Sequence, residues 1–371
     1  MKKTILAFGT ITLLTCALAF TSYANEKNSC YIESPPVSVA AQDMAKEQFE
    51  GIDSFIMDAL EIQGEMTNLR LSTGFRVYSL NHPEREMYYF PIFDGDTMVA
   101  VIATSSANGT DWSSTLNSNF ISVGLNSLNS TKDDPAKILL TGKAVYAVKD
   151  NETVLLAEVS NITDADRQND AARIQVEMLS EEPEAQSIVL DSANVFDIQL
   201  QAPMDARYTK VGRSCDGLQR IPNDPNCAAV CCGMYIEYFK NGSSYSTVNA
   251  RAYAQEVYSK YATTMLGSKK AVNAYTGRSL TDQNSMINWD QLKSSILNSN
   301  SPVFMHLQDG SLSHQALIVG YNYDMNNPNA ASRHDMLVCD PNVPNWQEVL
   351  FSNTYDDTIG QVYTWDASLF M

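Results

Sequence analysis

Apolar residues occur at helical spacing in the first part of this chain and at strand spacing soon afterwards. Residues 40–60 place apolar side chains three or four positions apart, namely Met44, Phe49, Ile52, Phe55, Ile56 and Leu60. This spacing predicts an amphipathic helix. Three strands are predicted next, at residues 75–78, 87–93 and 98–103, with Asp94-Gly95-Asp96 as the hairpin turn between the last two. Residues 144–148 and 153–156 predict a second hairpin.

These elements predict a helix packed on an antiparallel sheet, which is an α+β arrangement. Residues 164–184 are rich in charged side chains and Ala, and residues 186–201 become extended again. We interpret the stretch from 164 onward as a connector between two domains.

The second half of the chain begins with a segment that is apolar on nearly every side, at residues 227–239. A turn rich in Pro and Asn precedes it and ends at Asn226, a suitable N-cap residue. An apolar surface all round a helix is typical of a buried one. Residues 247–258 and 289–297 predict two more helices. Four strands are predicted at residues 303–307, 315–321, 336–339 and 348–351.

Candidate chemistry appears at the ends of these elements. Cys227 lies in the first turn of the buried helix, where backbone N–H groups and the helix dipole lower the pKa of a thiol. His314 opens an apolar strand, and Asp340 follows the next strand. A thiol, an imidazole base and a third group that orients the base form a nucleophilic site. Asn342 competes with Asp340 for the orienting role.

The alternatives to this site are weaker. Cys231 is the main competitor as the reactive thiol, although it lies within the helix body, as Cys232 does. His306 is predicted to be a satisfied strand residue, while His82 and His334 fall in polar turns or loops. A structural zinc site would need a second pair of Cys or His ligands at regular spacing, which the sequence lacks. We therefore expect no metal and no cofactor.

The segment around Cys227 and the block from residue 289 to 323 resemble papain-like cysteine peptidases of the bacteriocin-processing, staphopain and streptopain type. The block contains Pro302 before an apolar strand, then a turn, His314 before a second apolar strand, and Gly320-Tyr321. The resemblance covers residues 213–345. It departs from the family pattern after the nucleophile, where Ala228-Ala229 replaces Gly-Pro.

This resemblance implies the papain-like fold, with a helical subdomain beside an antiparallel sheet and the site in the cleft between them. It also implies roles: Cys227 is the nucleophile, His314 the general base, Asp340 the orienting residue and Gln219 the oxyanion-hole donor. The implied activity is that of a cysteine endopeptidase acting on protein or peptide substrates. Two other classes stay open. One is a non-proteolytic Cys-His amidase or acyltransferase acting on cell-wall peptides, and the other is a catalytically silent surface interaction protein.

The first 24 residues predict a signal peptide and hence secretion to the extracellular space. Lys2 and Lys3 are followed by an uncharged apolar stretch and by Ser22-Tyr23-Ala24, which suits cleavage after Ala24. No other stretch is long and apolar enough to predict a membrane span. Cleavage leaves six cysteines, an even number that becomes odd if Cys227 is a free nucleophile. A disulfide between Cys215 and either Cys339 or Cys232 remains open.

Charge divides the chain at about residue 205. Residues 25–205 carry 29 acidic and 11 basic side chains, whereas residues 206–371 carry 14 and 12. The acidic balance argues against nucleic acid as a partner, because binding it requires a basic surface. The family resemblance implies that residues 25–205 are an inhibitory propeptide and that residues 206–371 are the peptidase domain of a zymogen. A permanent accessory domain is the alternative.

Overall fold

The structure is a computed structural model that describes residues 30–52, 54–118, 120–149, 152–159, 162–177, 185–198, 200, 206–210, 224–310, 312–324, 334–343 and 346–371. Within these residues the helices are α1 (Val39–Glu50), α2 (Ser54–Ala59), α3 (Ser122–Ser127), α4 (Asp164–Glu177), α5 (Cys227–Asn241), α6 (Thr247–Lys260), α7 (Met265–Thr276) and α8 (Trp289–Lys293). Short 3-10 turns lie at Met66–Asn68 and Gly242–Ser244, and a π-helical turn at Ser294–Asn298 follows α8.

The strands of the first half are β1 (Cys30–Ser34), β2 (Leu69–Leu71), β3 (Phe75–Ser79), β4 (Glu86–Asp94), β5 (Thr97–Ser106), β6 (Trp112–Ser118), β7 (Lys137–Leu140), β8 (Ala144–Lys149), β9 (Glu152–Glu158) and β10 (Gln186–Leu190). Those of the second half are β11 (Ala206–Lys210), β12 (Thr281–Gln283), β13 (Val303–Asp309), β14 (Leu312–Asp324), β15 (Asp335–Cys339), β16 (Trp346–Leu350), β17 (Thr354–Asp356) and β18 (Val362–Phe370). This mixture of helices and largely antiparallel strands is compatible with the α+β class.

The first half of the chain forms the predicted hairpins, and its helices differ from the prediction in two places. The expected helix over residues 40–60 is divided into α1 and α2, because Gly51 caps α1 and glycine is a poor helix former. The expected connector contains α4, whose Ile174 is buried against Tyr78 and Tyr146. Helix α4 was not predicted because a single buried apolar residue, Ile174, gives no repeating apolar pattern in a charged helix.

In the second half, helix α5 packs against strand β14 and against α6 and α7. Gly233 allows the close approach of α5 to α6, since a Cβ atom there would lie only 2.2 Å from the carbonyl oxygen of Ala250. Strand β14 pairs antiparallel with β13, β15 and β11. Strand β18 lies on the other side of β13. The predicted strands of this half are present, whereas the C-terminal hairpin of β17 and β18 was not predicted.

A single sheet runs through both halves of the chain. Its strand order is β12-β18-β13-β14-β15-β16-β6-β5-β4-β3-β7-β8-β9. The two halves join where β16 pairs with β6 through Glu348 with Leu116 and Val349 with Thr115. Helix α1 covers this junction, and the side-chain amide of Gln48 donates a hydrogen bond to the carbonyl of Glu348 at 3.2 Å.

None of the helices in the described part of the chain is long and apolar enough to cross a membrane. The predicted signal peptide at residues 1–24 lies outside the described residues.

Candidate active site

Cys227 is the first residue of α5, because Asn226 caps the helix. The Asn226 side-chain oxygen accepts a hydrogen bond from the backbone N–H of Ala229 at 3.1 Å. Every side chain from Ala228 to Tyr238 is buried, whereas Cys227 is partly exposed. The thiol therefore stands at the accessible N-terminal end of a helix whose middle is buried, where the helix dipole favours a thiolate.

His314 lies near the start of β14 and is almost completely buried, with 4% of its surface exposed. Its Nε2 atom lies 2.8 Å from Oδ1 of Asp340, and the ring also forms a hydrogen bond with Cys227. Since Asp340 occupies Nε2, Nδ1 is the ring nitrogen left for the thiol. Burial alone would lower the pKa of His314, but the negative charges of Asp340 and Cys227 and the hydrogen bonds to both raise it well above the usual value.

Asp340 follows β15 and accepts three hydrogen bonds although only 1% of it is exposed. The donors are His314, the hydroxyl of Tyr355 at 2.5 Å and the backbone N–H of Asn342 at 2.7 Å. Burial would raise the pKa of Asp340, but the His314 charge and these hydrogen bonds hold it below the usual range. An ionised carboxylate with three donors is the form that can fix an imidazolium in place.

The two candidates for the orienting residue thus have different positions. The carboxylate of Asp340 contacts the imidazole directly, while Asn342 contributes its backbone N–H to that carboxylate. The predicted oxyanion-hole residue, Gln219, lies outside the described residues, as does Cys215.

Two tyrosines of the C-terminal hairpin contact Asp340 and His314, and neither was predicted from the sequence. Tyr355 on β17 donates to Asp340, and the ring of Tyr363 on β18 lies 5.5 Å from the His314 ring. Burial, followed by the charge of Asp340, raises the pKa of Tyr355 well above its usual value, so Tyr355 stays a neutral donor. The alternation of Tyr363 and Trp365 with Thr364 and Asp366 is the signal that could have revealed β18.

The turn of the same hairpin, residues 357–361, is inserted into the first half of the chain, and we call it the hairpin tip. Ile359 is fully buried in a core cluster otherwise built from the first half. Four residues of the first half hydrogen-bond to the backbone of the hairpin, and these are Ser79, Tyr89, Thr115 and Gly142. The first half of the chain therefore contacts the same hairpin whose Tyr355 bonds to Asp340 and whose Tyr363 lies beside His314.

Two adjacent carboxyls, Asp356 and Asp357, are buried at this contact. Each keeps one side-chain oxygen without a hydrogen-bond partner among the described residues. Burial raises the pKa of Asp357 well above its usual value, and the charges of Asp356 and Asp340 raise it further. Burial also raises the pKa of Asp356, against the lowering influence of Ser105, Arg85 and His82.

The other cysteines of the described chain are buried. The Cys231 thiol donates to the carbonyl of Gln315 at 3.2 Å. Burial raises the pKa of Cys232 to about 12 and that of Cys30 to about 11. Cys30 and Cys232 are therefore poor nucleophiles, because their thiols are protonated as well as inaccessible.

The remaining histidines contact other residues. His334 was expected in a solvent loop, yet it stacks on Trp289 with the ring centroids 4.1 Å apart. His82, in the first half of the chain, lies 3.5 Å from Asp309 of the second half. His306 bonds to Ser313 and Asp366. The described residues contain no group of three or more His, Cys, Asp or Glu side chains arranged to hold a metal ion.

Comparison with known proteins finds a similarity in the first half of the chain. Residues 27–186 match the family model described as the staphopain proregion. The match supports a staphopain-like cysteine peptidase precursor. We refer to residues 27–186 as the proregion segment; Cys227, His314 and Asp340 all lie downstream of it. No curated protein shows a significant sequence match to the chain.

Proposed function

We propose that the protein is a secreted cysteine endopeptidase with a papain-like catalytic domain, made as a zymogen. The observation that supports this most strongly is the buried chain of hydrogen bonds from Asp340 through His314 to a thiol at a helix N-terminus. In this proposal Cys227 is the nucleophile, His314 the general acid and base, and Asp340 the residue that orients the imidazole. Residues 1–24 are proposed to direct secretion and to be cleaved after Ala24.

The proposed reaction begins with Cys227 as a thiolate paired with a protonated His314. The sulfur attacks the carbonyl carbon of the peptide bond, and the His314 Nδ1 proton passes to the departing amine. Water then attacks the thioester, giving its proton to His314, and the acid product leaves. Asp340 keeps Nε2 protonated and holds the imidazole ring in the same orientation throughout the reaction.

The tetrahedral intermediates of this reaction carry a negative oxygen that needs hydrogen-bond donors. We propose the backbone N–H of Cys227 and the side-chain amide of Gln219 for this role, the latter from the family resemblance. One such donor contributes about 2.7–4 kcal/mol to the transition state.

Selective alkylation tests the assignment of the nucleophile. Iodoacetamide at neutral pH is expected to modify Cys227 in the folded protein well before Cys30, Cys231, Cys232 or Cys339, because only Cys227 of these five is both accessible and at a helix N-terminus. Mass spectrometry of the digested protein locates the label, and casein hydrolysis is measured on the same sample. Labelling of Cys231 first, or full hydrolysis by protein alkylated at Cys227, would contradict the proposal.

Substrate choice separates an endopeptidase from the other enzyme class considered. Casein and peptide libraries should be cleaved, whereas isolated peptidoglycan should release no peptides or amino groups. Release from peptidoglycan without casein cleavage would favour an amidase or acyltransferase.

We further propose that the proregion segment keeps the enzyme latent partly through the hairpin tip. The proregion segment contacts the tip through three hydrogen bonds to its backbone and through burial of Ile359, and a fourth hydrogen bond reaches the adjoining carbonyl of Asp356. Asp356 and Asp357 are buried at this contact, and we propose that opening it exposes them, so that their ionisation is coupled to the contact. Both carboxyls have a raised pKa in the closed form, so the closed form binds more protons than the open one.

The stability of the closed form is therefore expected to fall as pH rises through the raised pKa values. Each unit by which folding raises the pKa of a carboxyl lowers the free energy of unfolding by about 1.4 kcal/mol once that carboxyl is ionised. In the Cys227→Ala chain, which cannot process itself, the unfolding temperature should decrease between about pH 5 and about pH 8. The double variant Asp356→Asn/Asp357→Asn should flatten this decrease, since asparagine mimics the protonated acid.

Asp290→Asn is the matched control, because the Asp290 side chain is 88% exposed. Calorimetric scans of all three proteins across this pH range make the comparison. If the unfolding temperatures of the double variant and the control depend equally on pH, then ionisation of Asp356 and Asp357 does not contribute to latency.

A further inference from the structure

Three neighbouring strands bring a second set of nucleophilic and basic side chains together, apart from the site of Cys227. Ser313 on β14 lies with its Oγ atom 2.9 Å from Nε2 of His306 on β13. The Nδ1 atom of the same imidazole lies 2.5 Å from Oδ1 of Asp366 on β18. Hydroxyl, imidazole and carboxylate thus form a continuous Ser-His-Asp chain across the sheet.

This chain faces away from His314. Successive residues of a strand point to opposite faces of a sheet, so the side chain of Ser313 lies on the other face from that of its neighbour His314. In the register of β13 with β14, His314 lies opposite Leu307 and Ser313 opposite Gln308. The two sites therefore share a strand but not a surface.

The hydrogen bonds also select the ring tautomer. An ionised carboxylate only accepts hydrogen bonds, so Asp366 holds the proton of His306 on Nδ1. Nε2 then carries the lone pair, and it accepts the hydroxyl hydrogen of Ser313. A nucleophile within reach of a base, with the base oriented by a third group, is the arrangement of an activated serine.

A donor for a developing oxyanion lies beside the hydroxyl. Gln308 is directly opposite Ser313, where Cβ atoms of paired residues are about 4.5–5.5 Å apart. Its Nε2 group donates to the carbonyl of Gly310 at 2.5 Å. A primary amide has two N–H bonds, and this contact uses one of them.

We propose that Ser313 is a second nucleophile, which accepts acyl and phosphonyl groups from small activated esters. Its oxygen forms a bond to the carbonyl carbon or phosphorus, and its proton passes to Nε2 of His306. The bond to the leaving group breaks; an ester releases an alcohol or phenol that takes that proton, and a fluorophosphonate releases fluoride. Asp366 acts as the positioning residue. The side chains of Ser313 and Asp366 are exposed rather than enclosed in a pocket, which suits unhindered reagents rather than folded protein.

An alkyl fluorophosphonate probe tests the proposal on the full chain carrying Cys227→Ala, so that the thiol takes no part. We expect modification of Ser313, located by mass spectrometry of the digested protein. His306→Gln should slow this modification by about 10²–10⁴-fold, the usual contribution of a general base. Ser259→Ala is the control, because Ser259 is exposed but bonds only to the carbonyl of Glu256, and it should change nothing.

Two substitutions of Asp366 separate positioning of the base from a structural role. Asp366→Asn should lower the rate of Ser313 modification, because the amide no longer fixes the proton of His306 on Nδ1, and Asp366→Glu, which keeps a carboxylate, should restore part of that rate. No modification of Ser313, or a rate that His306→Gln leaves unchanged, would overturn the proposal. So would modification of Ser259 as fast as Ser313. None of these outcomes bears on Cys227, which is absent from every protein in the experiment.

Discussion

Replacement of Cys227 with alanine is expected to lower kcat on casein by a factor on the order of 10⁶, which is the loss typical of removing a catalytic nucleophile. The expectation follows from the position of the thiol at the exposed end of α5, in hydrogen-bond contact with His314. Without sulfur no thioester can form, and no other described cysteine is accessible. Hydrolysis of a fluorogenic peptide measures the loss, with both full chains first incubated under the conditions in which the unaltered protein becomes active.

The same variant should also remain at its full length during incubation if processing is autocatalytic. Cys231→Ala is the matched control from the same helix. It removes a buried thiol that bonds to Gln315, so it should lower stability and leave hydrolysis per folded molecule close to that of the unaltered protein. If Cys231→Ala abolishes hydrolysis while Cys227→Ala retains it, the nucleophile has been assigned to the wrong residue.

Asp340→Asn is expected to lower kcat by about 10⁴-fold, the effect of this change at the equivalent point of a Ser-His-Asp triad. The variant loses the negative charge that raises the pKa of His314 and fixes the proton on Nε2. The pKa of His314 should therefore fall, and the imidazolium form should be lost at lower pH. In a pH profile of kcat/KM, the decline on the alkaline side should therefore occur at lower pH for Asp340→Asn than for the unaltered protein.

Asn342→Ala provides the comparison for that experiment. Asn342 reaches Asp340 through its backbone N–H, which the substitution retains, and the effect on kcat should be small. A loss from Asn342→Ala as large as that from Asp340→Asn would make Asn342 the orienting residue instead.

Local signals in the sequence were sufficient for the elements that hold the three proposed catalytic residues. Asn226 as an N-cap and the all-round apolar segment after it predicted α5. The apolar runs after His314 and before Asp340 predicted β14 and β15. Each of these signals depends only on residues a few positions apart, which is why sequence patterns detect them well.

The parts that could not be predicted depend on contacts between distant residues. The pairing of Tyr355 with Asp340 needs a hairpin whose strands contain polar residues among the apolar ones, so its period is weak. Burial of Asp356 and Asp357 contradicts the ordinary expectation that carboxylates face solvent. The Ser313, His306 and Asp366 chain crosses three strands and depends on register, which no local pattern contains.

The junction between β16 and β6 has a consequence for the proposed processing, in which the proregion segment departs. Only two residue pairs join these strands, so little backbone hydrogen bonding opposes their separation. Departure leaves the outer side of β16 as a free sheet edge, and an uncovered edge is a template for self-association. Because the junction is only two residue pairs long, its loss would expose few additional backbone groups for pairing with another chain.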